Sequence, residues 1–441
     1  MEVRYGFETP RVPADRSIRS RCWLRCVAPA APEDADRAGL NLALVLDRSG
    51  SMRGDKIQHL REAARALIAM LAPRDTLAVV SYAEDVTTLV PSGPVRDRDG
   101  VARLLDGLMA RGGTNLSGGW LEGVAHVERH RQKRGVNRVL LMTDGLATRG
   151  ILDTAQLVKM VGKKKRKEIV TSAFGFGEGF NEDLLIGMAK ASGGSFYYIE
   201  EPDDAPAAFT QELGNLLNVV AQNLSVRLKA AGGARFERLL NGYPHTLAEH
   251  KLEAQAGDVY AGDVRGFCFE MTLPGGLPPA GAVVARGTLE YDDTATARRR
   301  SEDVAIVAVG APDGDPGARD GEVVREVGML SAGRAKEQAL RRADAGDFTG
   351  ARAALADCLG ELRRDPLCAE ALGAEITELE RFMADFEKAG FDAKQRKSLS
   401  ASIFASQMSR PALTRRPHKP PSTHIEAPPA EGPPPTLGGG G

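Results

Sequence analysis

The sequence predicts an α/β chain in which a doubly wound, mostly parallel sheet is inserted in a β-sandwich and followed by a helical region and a disordered tail. Three observations predict it. From Leu40 to about Asn223, apolar runs rich in Val, Ile and Leu alternate with longer segments of helical period, the pattern of a parallel sheet covered on both faces. From about Leu224 to Val309 the pattern becomes short runs broken by AAGG, LPGGLPP and YDDTA, which are all-β signals. After about Gly321 the composition is helical, until proline and glycine dominate beyond about Ser400.

Residues 1–37 are the first element. SIRSRCWLRCVA (17–28) alternates like a half-buried strand and has no obvious partner in the α/β region, so it is expected to pair with the later strands. The sandwich is then assembled from both flanks of the inserted domain. The N-terminus lacks the apolar core of a signal peptide. No window reaches the ~20 apolar residues of a membrane span, and a soluble, cytoplasmic, reducing location is expected. The five cysteines are an odd number spread over three regions, unlike a disulfide framework. Cys22 and Cys26 have no second pair at ligand spacing, which argues against zinc.

Residues 38–222 form the expected α/β domain. Its strands are LNLALVL, TLAVVSY, RVLLMT, EIVTSAFGF and SFYYI. Between the first two, KIQHLREAARALIAML places Ile57, Leu60, Ala64, Leu67, Ile68 and Leu71 on one helical face. Residues 223–311 carry the sandwich strands SVRLKA, GFCFEMTL, AVVARGTLEY and EDVAIVAV. Residues 321–399 read as a helical hairpin or bundle. Their AGDFTGARAAL turn resembles the junction of a tetratricopeptide-like helical pair, but no second copy follows at the ~34-residue period of a solenoid. Residues 400–441 are expected to be a disordered Pro/Gly-rich tail, because such a composition cannot bury enough apolar surface to fold.

The residues that carry chemistry lie where strands end. LVLDRSGSM (44–52) stops an apolar run at Asp47 and then presents Ser49 and Ser51, at the carboxyl edge where open α/β sheets bind ligands. RGGTNLSGG places Thr114 before a helix, and VLLMTDGLAT places Asp144 directly after a strand. Five oxygen donors, two of them carboxylates, with no sulfur or imidazole, suit a hard dication, Mg2+ or Mn2+ in preference to zinc.

DRSGS at 47–51, Thr114 in GGTN and Asp144 in TDG together resemble the von Willebrand factor A domains that carry a metal-ion-dependent adhesion site. The resemblance covers roughly residues 38–222. It implies that Ser49, Ser51 and Thr114 supply hydroxyl ligands and that Asp47 and Asp144 reach the ion directly or through water. It also implies that an Asp or Glu of a partner protein fills the last position. The flanking β and helical regions resemble, by order of elements, the soluble bacterial relatives of inter-alpha-trypsin inhibitor heavy chains. Such proteins often work with an ATPase, kinase, phosphatase or protease, so an adaptor or assembly role is the expectation.

Other signals are weaker. A formal net charge of -1 gives no global field toward nucleic acid or an anionic membrane. KKKRK (163–167) suits the last turn of a helix, Arg53-Gly54-Asp55 suits a turn into helix one, and GFGEG (175–179) is not a dinucleotide fingerprint in register. His126 and His130 are expected at the surface, and neither HExxH nor GxSxG is present. The terminal GGGG follows a low-complexity tail, unlike the compact domain of a glycine-conjugated carrier. The expectation is therefore a binding protein and not an enzyme. Two alternatives stay open: a Mg2+-dependent phosphoester hydrolase using Arg48, Arg53 or Arg111, and a scaffold whose metal site is latched by Glu426 or Glu431 of its own tail or by a neighbouring copy.

Overall fold

The computed structural model describes residues 1–30, 37–133, 135–387 and 391–409. The chain opens with strands β1 (Glu2–Phe7), β2 (Arg11–Pro13) and β3 (Ile18–Val27). It then enters the α/β domain through β4 (Leu40–Asp47), α1 (Asp55–Met70), β5 (Thr76–Tyr82), β6 (Val86–Pro94), α2 (Arg98–Asp106) and α3 (Leu116–Arg129). The domain continues with β7 (Val136–Thr143), α4 (Thr154–Lys165), β8 (Ile169–Phe176), α5 (Glu182–Ser192), β9 (Phe196–Ile199) and α6 (Ala205–Leu217).

The sheet order is β6-β5-β4-β7-β8-β9, parallel except for β6. Every residue of β4, β7 and β8 is buried, because helices cover both faces; this is why those runs are continuously apolar. On α1 the buried face is Ile57, Leu60, Ala63, Ala64, Leu67 and Ile68, with Leu71 buried just beyond it. Asn115, Asp153 and Asn181 cap α3, α4 and α5 by accepting from backbone N–H groups of the first turn.

Within this domain two details differ from the sequence reading. The edge strand β6 was not expected, since VTTLVPSGP is only partly buried and carries two prolines; an edge tolerates both. His126, expected at the surface, is buried. Strand β6 lies over its face of α3, and Thr88 Oγ1 approaches its Nε2 at 3.0 Å. His130 is exposed as expected. The lysine run closes α4, where Lys164 and Lys167 pair with Glu128 at 2.7 and 3.1 Å.

A single residue, Asn218, separates α6 from β10 (Val219–Ala230). The remaining sandwich strands are β11 (Arg235–Leu239), β12 (His245–Ala248), β13 (Lys251–Tyr260), β14 (Val264–Leu273), β15 (Ala282–Asp293) and β16 (Arg298–Ala311). One sheet has the order β1-β3-β14-β11 and the other β12-β13-β10-β15-β16-β2. The N-terminal segment contributes to both: β3 pairs antiparallel with β14 from Ile18↔Leu273 to Val27↔Val264, and β2 lies parallel to the end of β16. One continuous apolar core joins the sandwich to one side of the α/β domain. The buried pair Arg138 (β7) and Asp258 (β13) crosses the same junction.

Among the described residues five helices follow: α7 (Gly321–Asp344), α8 (Phe348–Arg364), α9 (Pro366–Ala371), α10 (Gly373–Glu387) and α11 (Ala393–Gln407). Lys336 of α7, fully buried, is neutralised by Glu375 at 2.6 Å and by Glu378. Helix α11 corrects the expected tail boundary at residue 400. Residues 400–407 are helical and mostly buried, since Ile403 and Phe404 supply apolar anchors and the first proline comes only at Pro411. The rest of the tail, with Glu426, Glu431 and the glycine run, lies outside the described residues. Helix α11 docks on the α/β domain: Lys397 Nζ donates to Phe180 O at 2.8 Å and Glu182 Oε2 at 2.6 Å. Lys394 pairs with Glu200 and Glu201, and Phe404 meets Phe196 edge-on. Among the described residues no helix is long and apolar enough to cross a membrane.

Removing one member of a buried pair leaves the other charge uncompensated. Asp258→Ala should therefore cost roughly 3 kcal/mol or more in urea unfolding. A loss below about 1 kcal/mol would show that Arg138–Asp258 does not hold the two domains together.

Candidate metal centre

Strand β4 delivers Asp47 to the carboxyl edge of the sheet, fully buried. Its Oδ1 accepts from Ser49 N at 2.8 Å and its Oδ2 from Thr143 Oγ1 at 2.7 Å. The first bond folds the DRSGS turn back on itself. The second ties that turn to β7, the strand that carries Asp144.

Backbone bonds bring in the loop of Thr114. Gly50 N donates to Gly112 O at 2.9 Å, Arg111 N to Arg48 O at 2.8 Å and Asn115 N to Ala83 O at 2.7 Å. On the other side, Thr148 N and Arg149 N donate to Thr114 O at 2.9 and 3.1 Å, and Thr114 N donates to Thr148 Oγ1 at 2.9 Å. The three loops are thus fixed to one another before any ligand is considered.

The five site residues expected from the sequence converge. Ser49 Oγ lies 3.1 Å from Ser51 Oγ, and Ser51 Oγ donates to Asp144 Oδ1 at 2.6 Å. Gly145 sits between Ser51 and Thr114: a Cβ there would lie 3.2 Å from Ser51 Oγ and 3.9 Å from Thr114 Oγ1. Asp47 stands one layer back, both of its oxygens engaged by protein donors. Burial pushes its carboxyl up to about 6, against the lowering by Thr143 and Ser49, and the nearby Asp144 charge adds to the rise.

Four contributors were not singled out from the sequence. Lys56, on the first turn of α1, donates to Asp144 Oδ2 at 2.6 Å. Thr143 anchors Asp47. Tyr82 at the end of β5 donates to Met142 O at 2.7 Å beneath the site. Gly179 is required because a Cβ would come within 2.6 Å of Asp144 O. The adjacency of Thr143 to Asp144 was the one local signal; the others depend on tertiary approach.

The donor set fits a hard dication. It consists of hydroxyl and carboxylate oxygens at one point, and a cationic group, the Lys56 ammonium, already rests on Asp144. Among the described residues no three His, Cys, Asp or Glu side chains cluster as a metal site, here or elsewhere; the donors at this point are mainly hydroxyls.

Residues 41–211 match the family model of the von Willebrand factor type A domain. An uncharacterised protein of Synechocystis is 29% identical over 287 residues, which cover 63% of this chain and 67% of that protein. YfbK of Escherichia coli is 29% identical over 53% of this chain and 42% of its own length. Bovine inter-alpha-trypsin inhibitor heavy chain H4 is 28% identical over 60% of this chain and 30% of its own. The chain thus spans about two thirds of the first relative and less than half of the other two. Among solved structures, a von Willebrand factor type A protein of Catenulispora acidiphila superposes with TM-score 0.69 at 18% identity, over 94% of this chain and 97% of that one. The ArnB paralog VWA2 of Sulfolobus acidocaldarius gives 0.58 at 17% identity, over 92% and 97%. The fold is therefore shared nearly end to end, sandwich and helices included. Residues 41–211 of this chain are a von Willebrand factor type A domain, a family that commonly mediates protein–protein interaction.

Proposed function

We propose that the chain is a metal-dependent protein-interaction module. Ser49, Ser51 and Thr114, with Asp144 and the more recessed Asp47, hold Mg2+ or Mn2+, and the partner is a protein that offers an Asp or Glu carboxylate. When bound, the ion supplies the positive charge that such an anion seeks. The observation that carries this reading is the unequal use of the two carboxylates. Asp47 is turned back onto Ser49 N and Thr143 Oγ1, whereas Asp144 meets the Ser51 hydroxyl with one oxygen and the Lys56 ammonium with the other. A dication among three neutral hydroxyls and one carboxylate keeps net positive charge.

The phosphoester-hydrolase reading gains nothing comparable. Two of the cations it would use, Arg48 and Arg111, lie 2.7 and 3.6 Å from Asp85. An adaptor or assembly role in a bacterial multi-component system, beside an ATPase, kinase, phosphatase or protease, follows from the resemblance to bacterial relatives. The sandwich and helices would orient the α/β domain in that role. A cytoplasmic setting agrees with five cysteines that are all free and buried.

Capture from native lysate tests the function. Partners retained in Mg2+ should be lost in EDTA and with Asp144→Ala; recovery of the same partners at equal yield would refute the module.

Asp47 tests the metal itself. Its folded-state value of about 6 stands above the ordinary 3.8. The folded chain therefore binds the extra proton between those values, and stability from this group falls as pH rises through that window. The shift corresponds to about 3 kcal/mol against the metal-free fold at neutral pH. Asp47→Asn should leave the metal-free Tm unchanged or raised near pH 7 and abolish any Tm increase on adding Mg2+. In the parent chain that increase should shrink as pH drops below about 6. A variant that still responds to Mg2+ would remove Asp47 from the site.

A further inference from the structure

The three most exposed large apolar side chains among the described residues are Met109, Leu146 and Leu152, at 72%, 59% and 57%. All three lie on the two loops that deliver Thr114 and Asp144. Single exposed apolar residues need no explanation, but three on the two loops that carry one site's residues point to an interaction surface.

These loops are not loose. Thr148 N and Arg149 N bond Thr114 O, and Ile151 N donates to Ser117 Oγ at 2.8 Å. Leu146 follows Gly145, the residue wedged beside the Ser51 and Thr114 hydroxyls. The apolar groups are therefore presented on backbone already ordered, which lowers the entropic cost of covering them. Exposed Arg53, Arg111 and Arg149 stand on the same three site loops, so the surroundings favour an anion; Glu84 and Asp85 offset Arg149 and Arg111 only in part.

We propose that this edge recognises a protein segment in which an Asp or Glu is flanked by bulky apolar residues, with Met109, Leu146 and Leu152 as an apolar collar around the carboxylate site. The proposal rests on the metal reading above and adds what that reading leaves open, the basis of selectivity. An ion accepts any carboxylate, whereas the collar rewards only those with apolar neighbours.

The test uses two short fluorescein-labelled peptides with a central Glu, flanked on both sides by Leu in one and by Ser in the other. Binding to the full chain is read by anisotropy in Mg2+ and in EDTA. The Leu-flanked peptide should bind about tenfold more tightly in Mg2+, as covering parts of two apolar side chains implies. In a Met109→Ser/Leu146→Ser variant this preference should fall to about twofold or less, while the Tm response to Mg2+ stays as in the parent. Equal affinity for the two peptides, a preference that survives in the variant, or no binding of either peptide to a chain that does respond to Mg2+ would overturn the collar and leave the metal reading standing. A chain with no Mg2+ response would overturn both. Mg2+-dependent self-association in sedimentation velocity that the variant abolishes would assign the collar to a second copy of the chain and overturn the partner segment.

Discussion

The site depends on one buried carboxylate. Asp47 accepts at once from the amide of Ser49 and the hydroxyl of Thr143, and so joins the end of β4 to the end of its neighbour β7. A buried charge is tolerated only when donors surround it, and these donors belong to the residues that must be placed. The need to satisfy Asp47 therefore sets the DRSGS turn and aligns the strand bearing Asp144. The hydroxyls meet because the acid behind them must be solvated by protein.

Much of this was legible in the sequence, for physical reasons. Strands buried on both faces read as continuous apolar runs, and the helix after the first of them showed its buried face by period alone. Asp47, Ser49, Ser51 and Asp144 were visible because they sit at strand ends, where spacing along the chain maps directly onto the sheet edge, and Thr114 because its glycine-rich loop leads into a helix. Lys56 and Gly179 were not visible, since each matters only through an approach between segments far apart in sequence. His126 was misplaced because its burial comes from β6, an edge strand whose prolines and partial exposure hide it from pattern reading. Helix α11 was cut short for a related reason. Its serine-rich sequence has little amphipathic signal, and its burial comes from lying between several elements at once.

The two ends of the α/β domain serve different purposes. On β7, Arg138 faces the sandwich while Thr143, five residues on and roughly 16 Å away at strand rise, faces the site. The buried ion pair and shared core fix the domain at its base and leave the opposite edge open. The docking of α11 reaches close to that edge. Lys397 holds Phe180 O and Glu182, and Phe180 directly follows Gly179, which packs on the carbonyl of Asp144. The helical region thus touches the loop that packs on Asp144.

The joint at Asn218 has a mechanical consequence. With one residue between α6 and β10 there is no slack to absorb sliding of that helix along its axis. Ala261 N also bonds Asn218 O at 2.8 Å, which clips the joint to the turn after β13. A shift of α6 would therefore pull directly on β10, a central strand of the sandwich, with nothing between them to take up the strain.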